Sequence, residues 1–299
     1  MEKIIHWKDK ELVMHNFTQS HANGGRLEKF WVEDIKTGRQ YLIKGSSALS
    51  YEPFSEKIAY IVGKNLGIDV LEYDIIPANL FEGLVPLNPF CKYLSICERI
   101  DRKNYSITSV AEIKRARNIV REPGSPSITN RQVMYELLDQ KYIDTMLLFD
   151  AIIGNVDRHY GNVHILRGRD GEMVGAPILD NGASLLAQSS GFLSLLYGFK
   201  VGKHMDTACT MEKTHTKQIP YIQTINGLPF NVTAKTIQIL NEIEPVFDMM
   251  PKLRALCVKK YLIYRLHKYL GLIRKDNKKI ITLEDRLNNK DIIKEKEHT

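Results

Sequence analysis

Residues 154–162 read GNVDRHYGN, and ILDNG follows at 178–182; these two segments constrain the chain more than any other part of it. The first follows RQVMYELLDQKYIDTMLLFDAII at 131–153. There Val133, Met134, Leu137, Leu138, Tyr142, Ile143, Met146, Leu147 and Ile152 recur at helical spacing, which predicts one long, largely buried helix. A polar loop carried by a buried helix is held in place. Its carboxylate, Asp157, can therefore point into a cleft while neighbouring helices fix the backbone. Asp180, 23 residues beyond Asp157, ends an apolar run and precedes Asn181 and Gly182, which predicts a sharp turn.

The chain of 299 residues, 43% of them hydrophobic, is long enough for one large core or two smaller ones. Cys91, Cys97, Cys209 and Cys257 form no close CxxC pair and have no nearby histidine, which argues against a zinc site and a disulfide framework. The N-terminus lacks the apolar run of a signal peptide, and no stretch approaches the ~20 apolar residues of a membrane span, so a cytoplasmic protein is expected. The formal charge of +7 belongs to the C-terminal end, where residues 252–299 carry 14 Lys or Arg against 6 Asp or Glu. Such a surface suits nucleic acid, acidic lipid or an acidic protein. A solvated basic helix and tail is the simpler reading, so nucleic-acid and membrane contacts are not expected.

Up to residue 100 the pattern is of short strands around one helix. FWVEDI and QYLIKGS flank a turn-like Lys36-Thr37-Gly38-Arg39 and read as a hairpin with Lys44 near its end. SEKIAYIVGKNL at 55–66 places Ile58, Ala59, Ile61, Val62 and Leu66 on one helical face, with Glu56 in the first turn and Gly67 as the stop. VLEYDIIPA and KYLSICERI read as further strands. After Asp101 the pattern turns helical, with a loop around Pro123, Gly124 and Pro126. HILRG and APILD look like a hairpin about Arg169-Asp170-Gly171, and helices are predicted near 233–249 and 252–273.

An Asp, an Asn five positions later and a second Asp beyond them follow the order in which kinase-type enzymes place a proton acceptor and two metal-binding oxygens. Asp157 is the candidate base, Asn162 a neutral metal ligand and Asp180 the anionic one. Lys44 and Glu56 suit the ion pair that holds the α- and β-phosphates of a nucleotide. Asn23, Gly24 and Gly25, ahead of Lys29, form either a phosphate-binding turn or a plain hairpin turn. Arg158 and His159 either touch phosphate or brace the loop.

On these residues the sequence resembles the HipA-like serine/threonine kinases, in particular their compact single-domain (CtkA-like) members, over roughly residues 15–270. ICERIDR at 96–102 is similar to their hinge, and ANGGRLEK at 22–29 to their nucleotide loop. The resemblance implies a two-lobed, protein-kinase-like α+β fold: a small β-rich N-lobe at 1–98, a larger helical C-lobe at 99–273 and a polar basic tail at 274–299. It also implies ATP and Mg2+ as cofactors. Asp157 would be the proton acceptor, Asn162 and Asp180 the magnesium ligands, and Lys44 a phosphate contact. Glu98, Arg99 and Ile100 would hold adenine through their backbone, with His159 beside the nucleotide and Asn23, Gly24, Gly25 and Lys29 over its phosphates.

Three departures qualify the resemblance. The additional N-terminal subdomain of full-length HipA toxins is not recognisable, so an antitoxin-like partner does not follow automatically. Ser20 stands nine residues before Lys29, an interval that differs from the toxins' and weakens it as an autophosphorylation site. Asn181-Gly182 replaces the Phe-Gly of ordinary protein kinases. The leading expectation is an ATP- and Mg-dependent kinase acting on protein Ser or Thr, its own included. The alternatives are a phosphatidylinositol or small-molecule kinase, and a non-catalytic binding protein or toxin–antitoxin component. Control by phosphorylation is expected between 181 and 220, at one of Ser184, Ser189, Ser190, Ser194, Thr207, Thr210 or Thr214.

Overall fold

The computed structural model describes residues 3–14, 29–45, 51–85, 87, 90–100, 105–116, 128–189, 208, 210–222 and 232–272. The glycine-containing turn at 23–25, Ser20, Asp101, Arg102, Ser190, Ser194, Thr207, Cys209 and the tail at 274–299 lie outside them. The first half is one antiparallel sheet of β1 (Ile5–Trp7), β2 (Lys10–Met14), β3 (Lys29–Asp34), β4 (Arg39–Lys44), β5 (Tyr73–Pro77) and β6 (Tyr93–Glu98), in the order β1-β2-β3-β4-β6-β5. Alternation sets its faces. Phe30 and Val32 of β3 and Tyr41 and Ile43 of β4 turn inward to meet Leu12, Ile76, Leu94 and Ile96, while Trp31 faces out. The expected β3–β4 hairpin is present, its turn closed by the Asp34 carboxylate, which accepts from Thr37 Oγ1 at 2.6 Å.

Helix α1 (Glu52–Leu66) crosses behind the sheet and stops where expected, at Gly67 in the left-handed region (φ 70°). Its apolar face, with Phe54, Ile58 and Val62, joins a core built from α4 (Gln140–Ile153), α6 (Val232–Asp248) and α7 (Lys252–Leu272). Each fully buried Ile, Leu or Phe there contributes roughly 1.5–3 kcal/mol. The remaining helices are α2 (Val110–Ala116), α3 (Ile128–Leu137) and the single turn α5 (His215–Gln218).

The structure corrects three local expectations. The helix predicted over 131–153 is two helices, because Asp139 adopts extended backbone (ψ 153°) and its side chain accepts from Tyr142 N as the N-cap of α4. The region after Asp101 is not wholly helical: β7 (Tyr105–Ser109) pairs with β8 (His164–Gly168), a strand that lies beyond α4 in the chain. HILRG pairs with β9 (Met173–Gly175) rather than with APILD. Pro177 has no N–H to give a ladder, and Ile178 instead makes a parallel bridge to Val70. Among the described residues no helix is long and apolar enough to cross a membrane, and Cys91, Cys97 and Cys257 are free thiols.

Candidate active site

Helix α4 delivers the chain to Gly154, whose left-handed backbone (φ 65°) turns it sharply beneath Tyr261 of α7. The loop that follows is organised from inside by Arg158, which is 1% exposed. Its Nε donates to both Asp150 oxygens, at 3.2 and 3.1 Å, and its Nη2 donates to Asp150 Oδ1 at 3.0 Å. The other donors reach Asn162 O at 3.0 Å, Asn181 Oδ1 at 2.5 Å and Leu179 O. Burial works against the Arg158 charge, but the Asp150 carboxylate outweighs it and raises the guanidinium further. Burial pulls the Asp150 carboxyl upward against Arg158; bonds from the guanidinium and from Asn155 Nδ2 keep the pair ionic. Arg158 is thus a brace that ties residues 155–162 to 179–181.

Asp157 projects from this brace with its side chain half exposed. Its backbone is fixed on both sides: its N–H donates to Asn155 Oδ1 at 3.0 Å, and its carbonyl accepts from Asn162 Nδ2 at 2.9 Å. With the Asn162 amide nitrogen committed there, Oδ1 is the atom left for a cation. His159, also half exposed, caps the short turn Tyr160–Asn162 through Nδ1, which accepts from Gly161 N at 3.0 Å. Its Nε2 lies 3.9 Å from Asp157 Oδ1.

On the sheet side, Lys44 is buried at 5% exposure, and its Nζ meets Glu56 Oε1 at 3.5 Å, Tyr73 OH at 2.7 Å and Asp180 Oδ1. Glu56 uses its other oxygen to accept from Asn181 N at 2.8 Å, which fastens the 180–182 turn to α1. Asp180 itself is in the left-handed region (φ 56°), at a cost of about 1–2 kcal/mol for a residue with a side chain. Burial raises the Asp180 carboxyl, but the Lys44 ammonium and then Lys29 overcome it and hold the group well below the usual carboxylate range. Burial lowers Lys44 in turn, and Asp180, Tyr73 and Glu56 together raise it well above its ordinary value. Burial pushes Glu56 up, against Lys44. Lys29 stands opposite Lys44 across the β3–β4 ladder.

At the end of β6, Arg99 N–H donates to Gln40 O at 2.8 Å. Strand alternation therefore turns the backbone of Glu98 away from β4, past the end of β5 at Tyr73. The Glu98 and Arg99 side chains are held outward by Arg39 at 3.2 Å and Gln40 at 2.6 Å. Beside this edge lies an apolar cluster of Tyr73, Cys97 and Leu179, with Leu42, Leu71 and Ile100 packed on it. Burial pushes the Cys97 thiol up to about 11, so it is a neutral lining group. A cavity of about 680 Å³ lined by Pro77, Gly83, Cys91 and Tyr93 opens at the opposite end of the β5–β6 ladder and is separate from this site.

The structure thus brings Lys44, Glu56 and Asp180 into contact and joins Asp157 and Asn162 to them through Arg158. The turn at Asn23, Gly24 and Gly25 lies outside the described residues. Tyr73 and Asp150 escape sequence reading, and so does His164, a half-buried residue whose imidazole burial pulls below its usual range although Asp180 is near. Asp180 and Asn162 offer hard oxygen donors that fit Mg2+, which takes one or two protein oxygens and completes its shell with water and phosphate. Among the described residues no three His, Cys, Asp or Glu side chains form a metal site.

No family model and no curated protein sequence matches the chain. Among solved structures it is similar to the proinflammatory kinase CtkA of Helicobacter pylori, with a TM-score of 0.58 and 16% identity over 87% of this chain and 96% of that one. This chain has that kinase's fold. The expected two-lobed, protein-kinase-like α+β architecture is therefore present. A chain of the Shewanella oneidensis MR-1 toxin–antitoxin complex of HipA, HipB and operator DNA is also similar, at 16% identity over 86% of this chain and 68% of that one, with a TM-score of 0.46. Such identities speak for the fold, and chemistry has to be argued from the residues.

Proposed function

We propose that the protein is an ATP- and magnesium-dependent kinase that phosphorylates Ser or Thr hydroxyls on protein, its own chain included. The observation that carries this reading is the buried Lys44 ammonium bound by Glu56 and Asp180, on a turn that Arg158 ties to the loop bearing Asp157 and Asn162. Fixed cations and metal-ligating oxygens of this kind stabilise charge in phosphoryl transfer, where positioning supplies most of the catalysis. Asp157 accepts the proton of the acceptor hydroxyl while the hydroxyl oxygen bonds to the γ-phosphorus and the bond from that phosphorus to ADP breaks. Asn162 and Asp180 hold Mg2+, which when bound neutralises phosphate charge.

Lys44 turns from Asp180 to the phosphates, and Asn23, Gly24, Gly25 and Lys29 are assigned to phosphate binding on the sequence pattern. Adenine lies against Leu42, Leu179 and Ile100, reading the backbone of Glu98, the edge turned away from β4, and of Ile100 on either side of Arg99, whose own N–H is taken by Gln40 O. His159 stands at the mouth beside the nucleotide. In this reading residues 1–98 and 99–273 are the two lobes, hinged after β6. The test is incubation of the purified protein with Mg-ATP and a generic protein substrate, followed by phosphopeptide mapping. Phosphoserine or phosphothreonine is expected with the wild type and none with Asp157→Asn; equal modification by that variant rejects the assignment.

A further inference from the structure

The Lys44 ammonium carries three protons and meets three acceptors. Two are carboxylates with other engagements: Glu56 also holds Asn181 N, and Asp180 is the proposed metal ligand. The third, Tyr73 OH at 2.7 Å, has no part in the mechanism proposed so far. Tyr73 is 1% exposed and sits in the apolar cluster opposite Cys97, whose thiol is within hydrogen-bonding reach of its hydroxyl. A phenylalanine would pack that cluster equally well. The hydroxyl is therefore what packing leaves unexplained, because a buried hydroxyl is costly unless it is paired, and its oxygen accepts from Lys44 Nζ.

A divalent cation bound to the Asp180 carboxylate repels the ammonium on the same group and weakens that contact. Lys44 then relies on Glu56, at 3.5 Å, and on Tyr73, at 2.7 Å, as its protein anchors. A phenol is well suited to anchor the ammonium, because it accepts a hydrogen bond but brings no negative charge to repel phosphate. We propose that Tyr73 is a positioning residue for nucleotide binding, its hydroxyl holding the Lys44 ammonium between Glu56 and the nucleotide phosphates when Asp180 is engaged by the metal. This rests on the protein being the ATP-dependent kinase proposed above.

The experiment compares Mg-ATP and adenosine binding, by calorimetry and ligand-observed NMR, in wild type and Tyr73→Phe. Loss of a hydrogen bond to a charged group is expected to weaken Mg-ATP about ten-fold. Adenosine has no phosphates to engage Lys44, so its affinity is expected to stay unchanged, which also reports that the pocket remains folded. In a Lys44→Met background, Tyr73→Phe should cause no further loss. Unchanged Mg-ATP affinity, equal weakening of both ligands, or a further loss in that background each overturns the proposal while leaving the kinase reading standing. A wild type that binds no Mg-ATP rejects the kinase reading itself, and this inference with it.

Discussion

Arg158 shows how the site is held at the scale of one residue. Its guanidinium is enclosed by Asp150, Asn181 Oδ1 and the carbonyls of Asn162 and Leu179. Arg158→Met leaves the Asp150 carboxylate buried without its cation, and removal of one partner from a buried pair costs about 3–5 kcal/mol. A urea midpoint close to wild type would contradict this. Arg158→Lys is expected to lose much of the same stability, because an ammonium cannot reproduce the planar fork. Sequence alone leaves Arg158 open between phosphate contact and brace. Its choice depends on carbonyls as far away as Leu179, 21 residues on, which no local pattern reveals. Asp157, Asn162 and Asp180 are legible as candidates because their spacing carries the pattern. Tyr73 is not, since one aromatic in a strand reads as core until Lys44 is seen beside it.

Among the elements, the turn from α4 into the loop depends on Gly154. Its backbone is left-handed, and an added Cβ would run into the Tyr261 hydroxyl. Gly154→Ala is therefore expected to destabilise the protein by more than about 1 kcal/mol, the strain of φ alone, with the clash added to it. Thermal unfolding checks this, and an unchanged midpoint would count against the packing of α4 on α7. The elements legible in the sequence are those with local signatures: the β3–β4 hairpin with its Gly38 turn, α1 ending at Gly67, and the amphipathic α6 and α7. The misread ones depend on distant or competing partners. β7 is five residues long, has Ile107 nearly half exposed, and exists as a strand because β8 pairs with it. The break before α4 turns on one capping carboxylate, Asp139, between two apolar stretches that share a period.

For the molecule as a whole, the main core does not divide at the proposed lobe boundary. Phe54, Ile58 and Val62 of α1 lie in the same apolar cluster as Phe149, Ile239 and Leu262. Lys44 and Glu56 reach across it to the 180–181 turn. A single calorimetric unfolding transition is therefore expected; two well-separated transitions would show that the lobes are independent units. In the proposed reaction, such a connected frame would let contacts made on the sheet position Asp157 on the helical side. The most direct measurement follows transfer of 32P from labelled ATP, alongside Mg-ATP binding, for wild type and Asp157→Asn. The variant should bind Mg-ATP about as tightly as wild type and transfer no label; transfer at the wild-type rate would show that Asp157 is not the base.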